Sequence, residues 1–242
     1  MTERFNATTR ENSQGIDTAL DVSSYGEAPY NLFSPFTYSP EFKIPVPEQV
    51  AYANSVESIW QGLKLINGFT DFSLFTRRPR KRKGNVEAHL LGKESMDILE
   101  ARKKIYKPSY FFYLQNYVPE EVKNEVLEKS LDSPVYFYDV EDNLDIKNPS
   151  PLAHSVFLKQ YFDFYFQERL RQMRLKVDEV MIQKQFEDET QVEPLIRVLA
   201  MYRRLTKPEQ ALLQLSIRQP HANQHRFETR FYRSIEKALQ NL

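Results

Sequence analysis

Asn54-Ser55-Val56-Glu57-Ser58-Ile59-Trp60-Gln61-Gly62-Leu63-Lys64-Leu65-Ile66 is the stretch on which the fold reading turns. Val56, Ile59, Trp60, Leu63 and Ile66 recur at helical intervals, which predicts a helix with one apolar stripe. Glu57, Gln61 and Lys64 follow at i, i+4 and i+7, so they share a face beside that stripe. Trp60 is the only tryptophan, and it lies within a turn of Glu57. A carboxyl next to a large apolar ring on a buried helix has a raised pKa and suits general-acid work. Glu57 also has a purely structural reading. With Asn54 as the cap, it stands at the third helical position and closes a capping box.

The rest of the chain bounds the function class. Its 242 residues balance 33 Lys and Arg against 33 Asp and Glu, so any basic site must be local. Hydrophobic residues make up 41% and aromatics 13%, enough for a sizeable core. The absence of cysteine excludes disulfides, cysteine catalysis and thiolate metal sites, and fits an intracellular setting. Met1-Thr2-Glu3-Arg4 is followed by no apolar stretch, so no signal peptide is expected. No run approaches the roughly 18 apolar residues that a bilayer span requires. A soluble cytoplasmic protein is the expectation. The six glycines form no Walker loop, no Gly-x-Gly-x-x-Gly turn and no Gly-x-Ser-x-Gly elbow. No cofactor is expected.

Residues 1–27 are polar and predict a disordered tail, with order beginning near Tyr30. Prolines between Asn31 and Val46 argue for extended edges or loops. Asn67-Gly68 reads as a helix stop. Residues 77–84, Arg-Arg-Pro-Arg-Lys-Arg-Lys-Gly, hold six basic residues, and 85–91 read as short and irregular. Helices are expected over 95–106 and from Pro119 to about Leu131. Pro134 to Val140 is the best strand candidate, followed by a polar loop with Asp142 and Asp145. A long helix opens at Pro151-Leu152-Ala153-His154 and carries Phe157, Tyr161, Phe164, Tyr165 and Leu170 towards Phe186. From Val192 the chain reads as all helical, with a capping box at Thr206 to Glu209. The fold class expected is α+β, mainly helical, with few short strands. Its parts are a tail over 1–27, a main domain over 28–186 and a helical extension over 187–242 packed on it.

Asn31-x-Phe33-Ser34-x-Phe36, followed by Val56-Glu57-Ser58-Ile59-Trp60-Gln61-Gly62-Leu63-Lys64, resembles the NADAR family of NAD- and ADP-ribose-associated domains. That family has an Asn-x-Phe-Ser-type stretch, then a helix of the pattern Val-Glu-His-x-x-Gln-Ala-x-Lys. Val56, Glu57, Gln61 and Lys64 fall in register with it. The loop from Asp139 to Asp145 and the segment Pro151 to His154 sit where the family has an aspartate loop and a later helix motif. The chain looks most like a divergent, phage and bacterial group of this superfamily, over roughly residues 30–165. It departs in three places. Ser58 replaces the histidine, the Trp-Gly after the loop aspartate is missing, and Ala153 stands near the place of a glycine.

The resemblance implies a NADAR-like domain that hydrolyses N-glycosidic bonds of phosphorylated ribosyl amines or of ADP-ribose attached to bases. Glu57 would be the acid/base or the water-orienting group, and Asp139, or failing it Asp142, the second carboxylate (compare the paired carboxylates of glycoside hydrolysis). Asn31, Phe33, Ser34, Trp60, Gln61, Lys64 and His154 would line the substrate. Lys64 and the basic run, with Arg78, Arg80, Arg82 and Lys83, would hold phosphate, for which paired hydrogen bonds from arginine are well suited. Trp60 reads as a base-stacking ring or as plain core beside Ile59 and Leu63. The basic run reads as a phosphate or nucleic-acid contact or as a solvated loop. His89 is isolated and reads as structural. His221 and His225 stand at i, i+4 without acidic partners, and no metal is expected. The rival reading is a non-catalytic module that binds nucleotide or nucleic acid, with the C-terminal helices meeting a protein partner.

Overall fold

The structure is a computed structural model and describes residues 3–182, 192–218 and 226–239. It is α+β and mainly helical, with few short strands and helices at the C-terminal end. It divides into two compact units, Met1–Asp163 and Phe164–Leu242. The expected boundary at 186–187 falls outside the described residues.

The largest departure from expectation is at the N-terminus. Residues 3–27 do not form a tail. Strands β1 (Phe5–Ala7) and β2 (Ala19–Asp21) both run parallel to the later strand β8 (Val135–Tyr138), one on each side. Phe5 and Val22 are fully buried. Phe5 stacks on Phe137, and both rings pack against Phe162. The reason is economical. Each short strand contributes one or two buried side chains, while its backbone groups are satisfied by the β8 ladder, so a polar composition suffices. Removal of residues 1–23 is therefore expected to leave β8 without partners on either side. Circular dichroism and thermal melting of the truncated chain should show loss of the cooperative native transition.

A 3-10 turn over Tyr30–Phe33 is followed by the two-residue pair β3 (Ile44–Pro45) and β4 (Tyr52–Ala53). Helix α1 spans only Val56–Gly62. Its cap is Ser55, whose hydroxyl accepts from the Ser58 amide at 3.1 Å, so the expected capping box from Asn54 to Glu57 does not form. The helix ends where Gly62 lies against Phe75, with room for no side chain: a Cβ there would sit 2.5 Å from the ring. Lys64 thus opens strand β5 (Lys64–Ile66) rather than a third helical turn.

Asn67 and Gly68 both have positive φ, and Ile66 and Phe69 exchange backbone hydrogen bonds across them. This is a two-residue hairpin turn, for which Asn-Gly is a strong signal, and not a helix stop. The irregular segment expected after Gly84 is strand β6 (Val86–Leu91), the centre of a sheet between β5 and β7 (Glu94–Met96).

Helix α2 (Ile98–Ala101) runs through a π-helical turn, Arg102–Tyr106, into α3 (Lys107–Asn116). Pro108 explains the widening: it offers no amide to the preceding turn, and its ring crowds the carbonyl four residues back. Helix α4 (Glu120–Asp132) begins after Pro119, and β8 follows it, both close to expectation. Helix α5 (Ser155–Ile182) contains the division between the units.

In the second unit, α6 (Val192–Tyr202), α7 (Lys207–Arg218) and α8 (Arg226–Leu239) follow. The Glu209 carboxylate reaches back to the Thr206 amide at 3.0 Å, the expected capping-box contact. No helix among the described residues is long and apolar enough to cross a membrane.

Candidate functional site

Helix α1, the end of β8 and the start of α5 bring three of the expected residues together in the first unit. Glu57 is 5% exposed and accepts a hydrogen bond from Gln61 Nε2 at 2.6 Å, the i, i+4 contact that their spacing implies. Its backbone amide donates to the Pro35 carbonyl at 3.0 Å. Burial raises the Glu57 pKa. The Gln61 hydrogen bond and the charges of Lys64, Lys81 and His154 pull the other way without reversing it. Glu57 is therefore a carboxyl biased towards its neutral, proton-carrying form.

Asp139 lies at the C-terminal end of β8, fully buried, and accepts three hydrogen bonds. They come from His154 Nδ1 at 2.8 Å, the Glu141 amide at 2.7 Å and the Ser155 amide at 3.1 Å. The last of these caps α5. His154 Nε2 sits 2.9 Å from the carbonyl oxygen of Val22. A carbonyl only accepts, and an ionised carboxylate only accepts, so both ring nitrogens donate and His154 is an imidazolium. The electrostatics agree. Burial disfavours both charges, but the Asp139 carboxylate and the Val22 carbonyl raise the His154 pKa, while His154 and the two amides lower that of Asp139.

The pair sets a pH window for stability. The raised His154 contributes stability that is present below the ordinary 6.5 and lost as pH rises through its folded value. The lowered Asp139 contributes stability that is present above the ordinary 3.8 and lost as pH falls through its folded value. Melting temperature measured from about pH 5 to 9 should fall with rising pH in the native chain. Asp139→Asn should abolish or reverse the His154 part of that slope.

Two lysines complete the charge around Glu57. Lys64, half-buried on β5, has its pKa lowered by burial, opposed by Glu57 and reinforced by Lys81 and Arg82. Lys81 pairs with Glu141 at 2.9 Å, which raises its pKa, and it also feels Glu57. Tyr106 ends the π-helical turn. Burial and the negative potentials of Glu57 and Asp139 raise its pKa well above the ordinary value, so its hydroxyl stays neutral. Trp60 is half-buried, neither plain core nor an open platform. It stacks on His89 at 3.9 Å between ring centres and meets the edge of Tyr106 at 5.4 Å. His89 is fully buried, and burial with Lys64 and Arg102 nearby pulls its pKa down to about 3.

Other expected site residues have structural roles. Phe33 is core, set edge-on to Phe162, and its carbonyl accepts from the Tyr110 hydroxyl. The Ser34 hydroxyl accepts from the Phe36 amide, and the Asn31 carbonyl closes the 3-10 turn with Ser34. Through the Pro35 carbonyl this segment places α1. Its contribution is to hold Glu57, which corrects the substrate-lining role expected of Phe33 and Ser34.

Arg82 is also anchored inward. Its amide donates to Gln61 Oε1 at 3.0 Å, and its guanidinium donates to the carbonyls of Lys64, Gln61 and Phe69. Arg82 fixes the basic segment to the Gln61 amide, so its own fork is committed to backbone and not to phosphate. Arg78, Arg80 and Lys83 are exposed, with Arg78 over the Tyr38 ring at 5.8 Å. Asp142 is exposed in the loop beyond Asp139. That loop is held by Arg102, whose guanidinium donates to the carbonyls of Ile146, Asn148 and Ser150. His221 and His225 lie outside the described residues.

The sequence reading missed Tyr106 and the Val22 carbonyl, and it marked Lys81 only as part of the basic run. Tyr106 left a signal, the Pro108 that follows it by two residues, and the Val22 carbonyl left none.

No curated protein and no solved structure matches the chain. A family model does match, over residues 3–158, a span that includes β1, β2 and every residue of the cluster around Glu57. The chain belongs to that family, a family of unknown function (DUF6939).

Proposed function

We propose that the first unit is a cytoplasmic hydrolase that cleaves the N-glycosidic bond of a phosphorylated ribosyl or ADP-ribosyl substrate. The observation that carries this reading is the environment of Glu57: a buried carboxyl hydrogen-bonded to Gln61, its pKa raised by burial, within the electrostatic reach of Lys64, Lys81 and His154. A phosphate on the substrate matches this set of cations. The Glu57 carboxyl gives its proton to the leaving nitrogen as the bond from ribosyl C1 to nitrogen breaks, and the bonding pair goes to nitrogen. Water then adds at C1 and returns a proton to Glu57, so the enzyme ends as it began. Asp139, already engaged by three donors, is a positioning residue that holds His154 and caps α5. Lys81 and Glu141 pair at the more exposed side of the cluster, where a substrate phosphate would compete with the Glu141 carboxylate for the Lys81 ammonium.

A second reading, nucleotide binding without catalysis, is favoured by Ser58. Its hydroxyl is taken up by Ser55 and by the Arg77 carbonyl, so it offers nothing to a substrate. Incubation with phosphorylated ribosyl amines and with ADP-ribosylated nucleobases separates the two. Release of ribose phosphate or ADP-ribose is the expected result. A ligand-induced rise in melting temperature without release would leave only the binding reading.

A further inference from the structure

The basic segment divides into Lys81 and Arg82, which are engaged by polar groups of other elements, and four cations that are not. Lys81 turns to Glu141 and the Glu57 cluster, and Arg82 is tied to carbonyls. Arg77, Arg78, Arg80 and Lys83 are exposed, and none has a carboxylate within salt-bridge distance among the described residues. Arg82 also binds the Phe69 carbonyl at 3.1 Å, so it clamps this cationic segment against the hairpin tip. At that tip Phe69 is 75% exposed, and Phe72, in the next turn, is 46% exposed. Phe72 is held by stacking on buried Phe75 at 5.4 Å. Two exposed rings close in sequence and bordered by charge are the pattern of an interaction surface.

We infer that Phe69 and Phe72, with Arg77, Arg78, Arg80 and Lys83, form a binding surface for single-stranded nucleic acid. Unpaired bases stack on exposed rings and phosphates follow the cations, which is how sequence-tolerant strand binding works. A duplex keeps its bases stacked internally and gains only from the charges. An anionic bilayer fits less well. The Asp71 and Glu87 carboxylates stand among the rings, bonded to Ser73 and to the Gly68 amide, and would be carried towards anionic headgroups. The surface is outside the Glu57 cluster, and its function stands or falls apart from the glycosidase reading.

The test is fluorescence anisotropy of the full chain with labelled oligo(dT), oligo(rU) and a duplex of equal length, each about 15 nucleotides, across a salt series. Tighter binding of either single strand than of duplex supports the inference. The logarithmic salt slope should be no steeper than about −3, as four phosphate contacts to a single strand require. Phe69→Ala with Phe72→Ala should weaken binding by roughly tenfold or more and leave the slope unchanged. Arg78→Ala, Arg80→Ala and Lys83→Ala together should flatten the slope by about 2. All five side chains are exposed, and circular dichroism checks that the fold is retained. Equal or tighter binding of duplex would overturn the inference. So would unchanged affinity in the phenylalanine variant, or binding to phosphatidylserine vesicles with none to either oligonucleotide.

Discussion

Glu57→Gln is expected to lower the rate of ribosyl–nitrogen cleavage by about 10²–10⁴-fold, the range that a positioned general acid contributes. The same change is expected to leave the protein at least as stable at neutral pH. The Glu57 pKa is raised on folding, so the native carboxyl holds a proton that the unfolded one has released. By linkage, that costs stability as pH rises from the ordinary 4.5 towards the folded value. Glutamine bears no charge at any pH and keeps an oxygen for the bond from Gln61 Nε2. Activity and melting temperature therefore part company in this variant. Parallel loss of both would mean that Glu57 serves the fold alone. Unchanged activity would remove it from the chemistry.

Asp139→Ala is expected to be among the most destabilising single substitutions in the first unit. It leaves the His154 imidazolium without its counter-charge, the Glu141 amide without an acceptor and α5 without its cap. Breaking a buried ion pair from one side costs about 3–5 kcal/mol, equivalent to a fall in melting temperature on the order of 10 °C for a chain of this size. His154 recovers part of the loss by giving up its proton, so the deficit should shrink as pH rises. Asp142→Ala is the matched control. Its carboxylate is exposed, and a surface substitution of this kind changes stability by less than about 0.5 kcal/mol. A small effect at Asp139 in thermal melts would contradict the buried pair.

Much of this site was legible in the sequence because the signals were local. Glu57 and Gln61 are one helical turn apart, and their side chains meet as the spacing requires. Asp139 and His154 flank a polar loop between a recognisable strand and a recognisable helix, and the loop folds back so that they pair. The failures were of another kind. Phe5, Leu20 and Val22 give too weak an apolar pattern to mark strands, because their partner β8 is more than a hundred residues away and supplies the ladder. Asn67-Gly68 suits a helix end and a hairpin equally until Ile66 and Phe69 are seen to exchange backbone hydrogen bonds across it. Within the basic run nothing local distinguishes Arg82, which is anchored to inner carbonyls, or Lys81, which pairs with Glu141, from Arg80 and Lys83, which do neither. The carbonyls and carboxylate that decide it come from other elements. Tyr106 reaches the site through a π-helical turn that a period of 3.6 does not describe.

Burial biases Glu57 towards its proton-carrying form although Lys64, Lys81 and His154 pull its pKa the other way. The most direct measurement is a carbon-13 NMR titration of the glutamate side-chain carboxyls, with the Glu57 resonance assigned by its disappearance in Glu57→Gln. The account predicts a Glu57 carboxyl that titrates above the ordinary 4.5 and shifts further upward when Lys64 is replaced by methionine. A Glu57 that titrates at or below the ordinary value would contradict it, because the residue would then be a paired carboxylate with no proton to give.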